Sequence, residues 1–432
     1  MKQKIIIIIA CMFFLIPVSA SADKTDRLIQ LLVEKKIVSS EEAKAIMEEL
    51  DSNEEVKPEV KMTKTDGKSS KKTSSDWTEN IEVKYNKGAV IKTVDNNYSL
   101  KLNARFQGLF LYTDLYSGQT QSTFMVRRAR ILASGNAFAP WLKFGTQITL
   151  EGDSAFMRDA FIEASRYEKM TARVGQYKVP FDREFLDGGF NLQLINRSIA
   201  SAEYSLQRDV GLRFSGKKIL DHFDYQVGVF NGSGINWRNL DDDYMYVGRL
   251  VWSPFKPYPY SQSAVDNPSD PVLSLAFAGA YMPGLDPEER GRLAGRLGNT
   301  SIVPVESDVS QWTLDFAYKY QNLSVTSGYH YRNIDPKELT PYGEQDSWGF
   351  YIQSGYFIVP ERFEVAGRFA FIDPDNPVTI SDNKKSEYTL GVNYYLNGHN
   401  VKTGLNYSFF SFDKQAGDED EHLFTTSVIL QF

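Results

Sequence analysis

The sequence predicts an all-β protein, a 16-stranded antiparallel transmembrane β-barrel over residues 88–432. Three observations predict it. From about Gly88 onward, apolar and polar residues alternate in one run after another, the period of a strand with one apolar and one polar face. Those apolar rows often begin or end on Tyr, Trp or Phe, drawn from 24 Tyr, 28 Phe and 6 Trp, as a girdle at two membrane interfaces requires. The connections between runs alternate between tight turns and long loops, the construction of a barrel inserted from one side. A soluble sandwich also alternates, but it presents its polar face outward, and a single sheet of sixteen strands must close or leave edges exposed.

Residues 1–22 read as a secretory signal. Lys2 and Lys4 precede an apolar run from Ile5 to Val18, and Ala20-Ser21-Ala22 offers a cleavage site, so the mature chain is expected to begin at Asp23. Residues 23–50 read as a short helical periplasmic segment preceding the barrel. Leu28, Leu31 and Leu32 share a face; Ser39 with Glu42 forms a capping box ahead of Ala43, Ile46, Met47 and Leu50. This segment reads either as a contact to peptidoglycan or as a spacer. Residues 51–87 are rich in Lys, Ser, Thr and Glu and read as a flexible linker.

Sixteen strands are then expected at 98–113, 122–137, 141–151, 155–167, 170–179, 207–217, 222–231, 244–253, 272–283, 310–320, 322–334, 345–358, 361–373, 385–396, 400–412 and 421–432. In the first, Tyr98, Leu100, Leu102, Ala104 and Phe106 oppose Lys101, Asn103, Arg105 and Gln107. In the last, Phe424, Val428, Leu430 and Phe432 oppose Thr425, Ser427 and Gln431, and the terminal aromatic resembles the closing strand of bacterial outer-membrane barrels. One connection departs from the scheme: 254–271 is long and Pro-rich where a short turn is expected.

Composition removes several classes of function. A net charge of -7, or -9 once Lys2 and Lys4 leave with the leader, argues against nucleic acid as a partner. The only cysteine, Cys11, lies in the leader, and the four histidines lack ligand spacing, so no metal site and no cofactor is expected. No nucleophile elbow, zinc-protease motif or phosphate loop is present, and the chain does not read as an enzyme.

The informative feature is a basic first half. Across residues 98–180 eleven cations stand against six acids, in a chain that is acidic overall. Lys101, Arg105 and Lys143 lie on polar parities and are expected in the lumen. Arg128 and Arg130 oppose Ala129, Ile131 and Ala133 and should face the lumen too; Arg127 takes the other parity and is expected at the rim. An Arg on the lipid face costs ~2–4 kcal/mol near the midplane, which supports this orientation. Arg173, Lys178 and, in the long connection 180–206, Arg197 complete the candidate anion-binding lining. Basic rings concentrate and pass anions. The competing reading pairs these cations with Glu151, Asp159 and Glu163 as a rigid scaffold.

Five segments carry a family resemblance: FMVRRAR (Phe124 to Arg130), RDAFIEAS (Arg158 to Ser165), RVGQYKVPF (Arg173 to Phe181), RDVGLRFSG (Arg208 to Gly216) and YQVGVFNGSG (Tyr225 to Gly234). In order and spacing the chain resembles the phosphate-selective porin O and P family over about residues 88–432. The resemblance implies a barrel in the bacterial outer membrane, a homotrimer, passage of small anions including phosphate, and a third outer loop that folds inward. It implies that Arg127, Arg128 and Lys178 belong to the basic lining. The expected partners are small anions and outer-membrane lipid. A general, weakly selective porin is the near alternative, and a tether between outer membrane and cell wall the structural one.

Overall fold

The computed structural model describes residues 80–115, 118–151, 155–239, 242–285, 305–340, 343–373, 384–413 and 419–432. The expected leader, helical segment and most of the linker lie outside the described residues, as do the arginines of 286–304. Among the described residues eighteen strands occur: β1 Ile81–Tyr85, β2 Ala89–Thr93, β3 Ser99–Asp114, β4 Thr120–Asn136, β5 Leu142–Thr149, β6 Phe156–Tyr167, β7 Met170–Lys178, β8 Arg208–Ile219, β9 Phe223–Phe230, β10 Met245–Trp252, β11 Val272–Leu285, β12 Ser307–Tyr320, β13 Leu323–Pro336, β14 Gln345–Val359, β15 Phe363–Asp373, β16 Lys384–Asn397, β17 Val401–Asp413 and β18 Glu419–Gln431. From β3 onward each strand pairs antiparallel with the next. β18 returns to β3, with Gln431 opposite Arg105 and His422 opposite Asp114, closing a barrel of sixteen. Their bounds agree with the expected ones to within three residues.

The barrel is polar inside and apolar outside. Along β12, Ser307, Val309, Gln311, Thr313, Asp315, Ala317 and Lys319 are buried, while the intervening Trp312, Leu314, Phe316, Tyr318 and Tyr320 face outward. Leu314 is 50% exposed, as is Tyr388, and Leu390 reaches 66%. Rows of exposed apolar side chains on a well-paired sheet need hydrocarbon around them, because in water they would form one large aggregation surface. Outward rings contact one another from strand to strand, from Phe277 and Trp312 through Trp348, Phe371, Tyr388 and Phe409 to Phe424, Tyr112 and, on β3 and β4, Phe110 and Phe124. Among the described residues no outward ring pair links β5 through β10.

The two short strands precede the barrel. β1 and β2 form a hairpin, so residues 81–87 of the expected linker are ordered strand and turn. β2 takes the edge of β3 at Ser99–Leu102, directly beyond Phe432, which pairs with Ala104. It thereby covers ladder groups that β18 is too short to reach, and the unpaired backbone is satisfied. At the hairpin tip Asn103 Nδ2 donates to the Lys87 carbonyl at 2.6 Å. Gly88 has φ +131, and a Cβ there would lie 2.4 Å from the Leu102 carbonyl oxygen. Gly88→Val is therefore expected to unseat the hairpin. Amide exchange across β2–β3 should accelerate ~10-fold or more while the β18–β3 ladder keeps its protection.

Candidate functional site

Among the described residues two connections fold into the lumen. The first, 179–207, leaves β7 and carries α1 Arg183–Leu186 and α2 Ile199–Tyr204. Asp182 caps α1 by accepting from the Glu184 and Phe185 amides, and Ser198 caps α2 by accepting from the Ser201 amide. Phe181, Phe190, Leu194, Ala200, Tyr204 and Leu206 are each 1% exposed or less. The third outer loop thus folds inward. The second is the Pro-rich 253–271, the connection at odds with the short-turn scheme. Rather than hanging at the rim it also turns inward, burying Tyr258, Gln262, Ser263 and Ala264. The two meet inside the barrel: Gln262 Oε1 accepts from the Gln193 amide at 2.8 Å, and Arg183 donates to the Pro259 carbonyl at 3.3 Å.

Strands β10 to β17 supply the fasteners. Arg368 donates to Glu387 (2.8 Å), the Asn196 carbonyl (3.0 Å) and Gln353 (3.1 Å), and lies 3.5 Å from Glu184. Arg332 donates to Glu203 at 2.7 Å. Arg249 holds Asp315 at 2.6 Å and the Phe181 carbonyl. Lys402 donates to the Leu192 carbonyl and Asn393 to that of Gln193. Val247, Ala278, Ala280, Met282, Val309 and Ile334 meet Val179, Phe181 and Leu206 in an apolar cluster at the long-loop end. That half of the lumen is packed like a protein core.

Open space remains against β3 to β8. One cavity of about 530 Å³, toward the long loops, is lined by Arg105, Arg127, Arg128, Arg130, Arg158, Arg173, Lys178, Arg197, Arg208 and Arg213, against two acids, Glu151 and Asp159. A second of about 810 Å³, toward the short turns, is lined by Lys87, Lys101, Asn103, Asp266, His399 and Gln431 among others. Arg105, Gln147, Asp159 and Phe161 line both, so the two cavities adjoin beside them. The loop tip closes on the wall beside them: Phe190 lies 5.8 Å from the Arg105 guanidinium and 5.5 Å from that of Arg130. A Cβ on Gly189 would stand 3.0 Å from Arg128 Nε.

Of the cations that the sequence places on the lining, Arg105, Arg127, Arg128, Arg130, Arg173, Lys178 and Arg197 come together around the first cavity, and Lys101 and Arg105 around the second. Lys143 stands apart, exposed and opposite Glu163 in the register, and lines neither. Arg127 is not at the rim. The β3–β4 register shifts between Gln107 and Gly108, leaving Arg127 as an extra residue of a β-bulge, which turns it onto the cavity. Reading parity alone also missed Arg158, Arg208 and Arg213.

Most of these cations have fixed partners. Arg130 donates to Glu151 at 2.8 Å, Arg173 to Glu163 at 2.8 Å, and Arg208 grips both oxygens of Asp159 at 2.9 and 3.1 Å. Arg128 donates to Gln107. Lys178 gives three hydrogen bonds to the Phe185, Leu186 and Asp187 carbonyls (2.8, 2.8 and 3.0 Å), and Arg197 donates to the Glu184 and Asp187 carbonyls. These two pin the inward loop as well as charging the cavity. The expected pairing with Glu151, Asp159 and Glu163 is present, and the basic lining exceeds it.

The loop carries a cost of its own. Asp187 is 1% exposed and neither carboxylate oxygen has a hydrogen-bond partner. Burial pushes its carboxyl up to about 6 from an ordinary 3.8, against the attraction of Arg183, Lys178 and Lys319. A raised carboxyl group favours the folded state while it is protonated, so this contribution is lost as pH rises from 3.8 through about 6. Asp187→Asn, which mimics the neutral acid, should stabilise the detergent-solubilised barrel by up to ~3 kcal/mol at pH 8 and by only ~1 kcal/mol at pH 4.5. Thermal midpoints at the two pH values check this.

Residues 100–432 match the family described as phosphate-selective porin O and P, and the chain belongs to that family, with its barrel in the outer membrane. An uncharacterized protein of Aquifex aeolicus is 22% identical over 437 residues, 93% of each chain. Among solved structures, the fold is similar to the anion-selective porin from Comamonas acidovorans (TM-score 0.54, 14% identity, 78% of this chain and 100% of that one). It is also similar to the outer membrane channel DcaP of Acinetobacter baumannii (TM-score 0.52, 12% identity, 79% and 99%).

Proposed function

We propose that the protein is a passive channel that prefers small anions, phosphate among them, and that they travel along the β3–β8 wall. One observation carries the reading: ten basic and two acidic side chains line the first of the two cavities. Such a surplus raises the local anion concentration and repels cations through a low-dielectric wall. The extensive ion pairing around Glu151, Asp159 and Glu163 favours weak over strong selectivity, as in a general porin. The lack of outward ring pairs from β5 to β10 among the described residues breaks the aromatic belt on that side, which supports a homotrimer with that face inside it. Residues 1–22 serve as the secretory signal and 23–50 as the periplasmic segment in this reading.

The test uses thiol chemistry, since the sequence holds a single cysteine, Cys11, within the expected leader. Gln147→Cys, where the two cavities adjoin, should react with a sulfonate-bearing methanethiosulfonate ~10-fold faster than with a trimethylammonium-bearing one, each event cutting the current. Ala280→Cys, in the packed half, should leave the current untouched by both. Equal or faster reaction with the cationic reagent at position 147 would overturn the proposal.

A further inference from the structure

We propose that the inward turn 253–271 positions the tip of the outer loop, with Glu364 as the positioning residue that joins the two. The pore width at the tip is then set from the opposite end of the barrel. This goes beyond the anion reading and needs only that ions pass the loop tip. The loop enters from the long-loop end and the turn from the short-turn end. They meet where the cavities adjoin: Asn191 of the loop and Pro259, Tyr260, Ser261 and Val265 of the turn wall the second cavity together.

The backbone bonds at the tip depend on the turn. The Gln193 amide donates to Gln262 Oε1 at 2.8 Å, and the Gln262 amide donates to the Asn191 carbonyl at 3.3 Å. The barrel wall takes the Leu192 and Gln193 carbonyls, through Lys402 and Asn393. Without the turn, the buried Gln193 amide and the Asn191 carbonyl lose their partners. The later part of the loop is held differently. Arg368 and Arg332 fasten Asn196 and Glu203 directly to the wall.

Glu364 then ties tip and turn to β15. Its carboxylate is buried and, among the described residues, has no ion-pair partner. It accepts from Gln193 Nε2 of the loop (2.6 Å), Ser263 Oγ of the turn (3.1 Å), and Asn393 Nδ2 and the Tyr395 hydroxyl of β16 (3.0 and 2.6 Å). Four donors fill the lone-pair sites of a carboxylate. Gln353 Nε2 adds a second bridge, to Gln193 Oε1 at 2.9 Å and Gln262 Oε1 at 3.1 Å. Such bonds strengthen one another, and a buried charge that loses a donor is costly. Loop tip and turn therefore keep their seats together or leave them together.

The experiment pairs a thiol rate with a conductance. Leu194→Cys places a reporter on the loop just past the tip, at a side chain 1% exposed; the natural cysteine, Cys11, lies within the expected leader. In that background Gln262→Ala and Glu364→Gln should react with methyl methanethiosulfonate ~10-fold faster than the parent, and Ser263→Ala ~3-fold faster, because reaction needs the loop to leave its seat. Single-channel conductance should rise in the same order. Among the described residues Ser263 makes no hydrogen bond to the loop, so its effect must travel through the turn or Glu364. Protected amides along the β18–β3 ladder mark each variant as folded. In folded protein, a parental rate in any of the three would overturn the proposal. So would higher conductance at an unchanged thiol rate, which would make the turn an obstacle of its own. A faster thiol with unchanged conductance would overturn it too, by taking the tip out of the pore width. The thiol rate reads the loop whatever ion the pore prefers, so failure here is distinct from failure of the anion path.

Discussion

Arg368→Ala is expected to release the inward loop and enlarge the pore. Arg368 is buried between β15 and the loop, where it neutralises Glu387 and Glu184 and holds the Asn196 carbonyl. Removing it strands two carboxylates in a water-poor interior, at a cost of ~3–5 kcal/mol. The barrel wall, held by sixteen strand-to-strand ladders, does not depend on this contact; the loop does. Most of the cost therefore falls on the equilibrium between the loop seated and the loop free, shifting it by ~100-fold or more. Single-channel recordings should show conductance several-fold higher and noisier than wild type, with Arg368→Lys intermediate. Wild-type conductance from correctly folded Arg368→Ala would mean that the loop is held by other contacts, or that the conducting path does not pass it.

The second large effect is on selectivity. Arg105 lines both cavities at their junction, and among the described residues the only hydrogen bond its guanidinium donates is to Asn103 at 3.3 Å. Arg105→Glu changes the charge there by two. At about 5 Å from a passing ion in a water-like medium, that change amounts to ~1–2 kcal/mol, unfavourable for an anion and favourable for a cation, or roughly 100-fold in the ratio of anion to cation permeability. The ratio should fall by that factor at low salt and by less at 1 M, where screening shortens the reach of the field. A ratio unchanged at every salt concentration would place the selective point elsewhere.

The wall of this protein was legible because the bilayer and the lumen act on alternate residues. Leu314, Phe316 and Tyr318 had to be apolar and Thr313, Asp315 and Lys319 polar, so period two survived along β12 and other strands like it. The hairpin at Ile81–Thr93 escaped because each strand is only five residues long and carries lysine. Arg127 was misplaced because a bulge shifts parity without any residue signature; only the register of the neighbouring strand reveals it. The inward turn 253–271 was visible as an anomaly of length, but its destination depends on Gln262 meeting Gln193, contacts that no local pattern encodes. For the same reason the sequence showed a basic first half and concealed what the cations of the second half do. Arg249, Arg332 and Lys402 lie far along the chain from the loop groups they hold. The basic lining of the cavity was thus readable as a set of residues, and its confinement to one side of the lumen was not.

The most direct measurement is the zero-current potential of the purified protein in a planar bilayer under a KCl gradient. A potential of the sign that marks chloride as the more permeant ion is expected, moving toward zero in Arg105→Glu. A potential of the opposite sign, or none, would contradict an anion path along β3 to β8 and leave a barrel whose basic lining serves only to hold its own wall and loop.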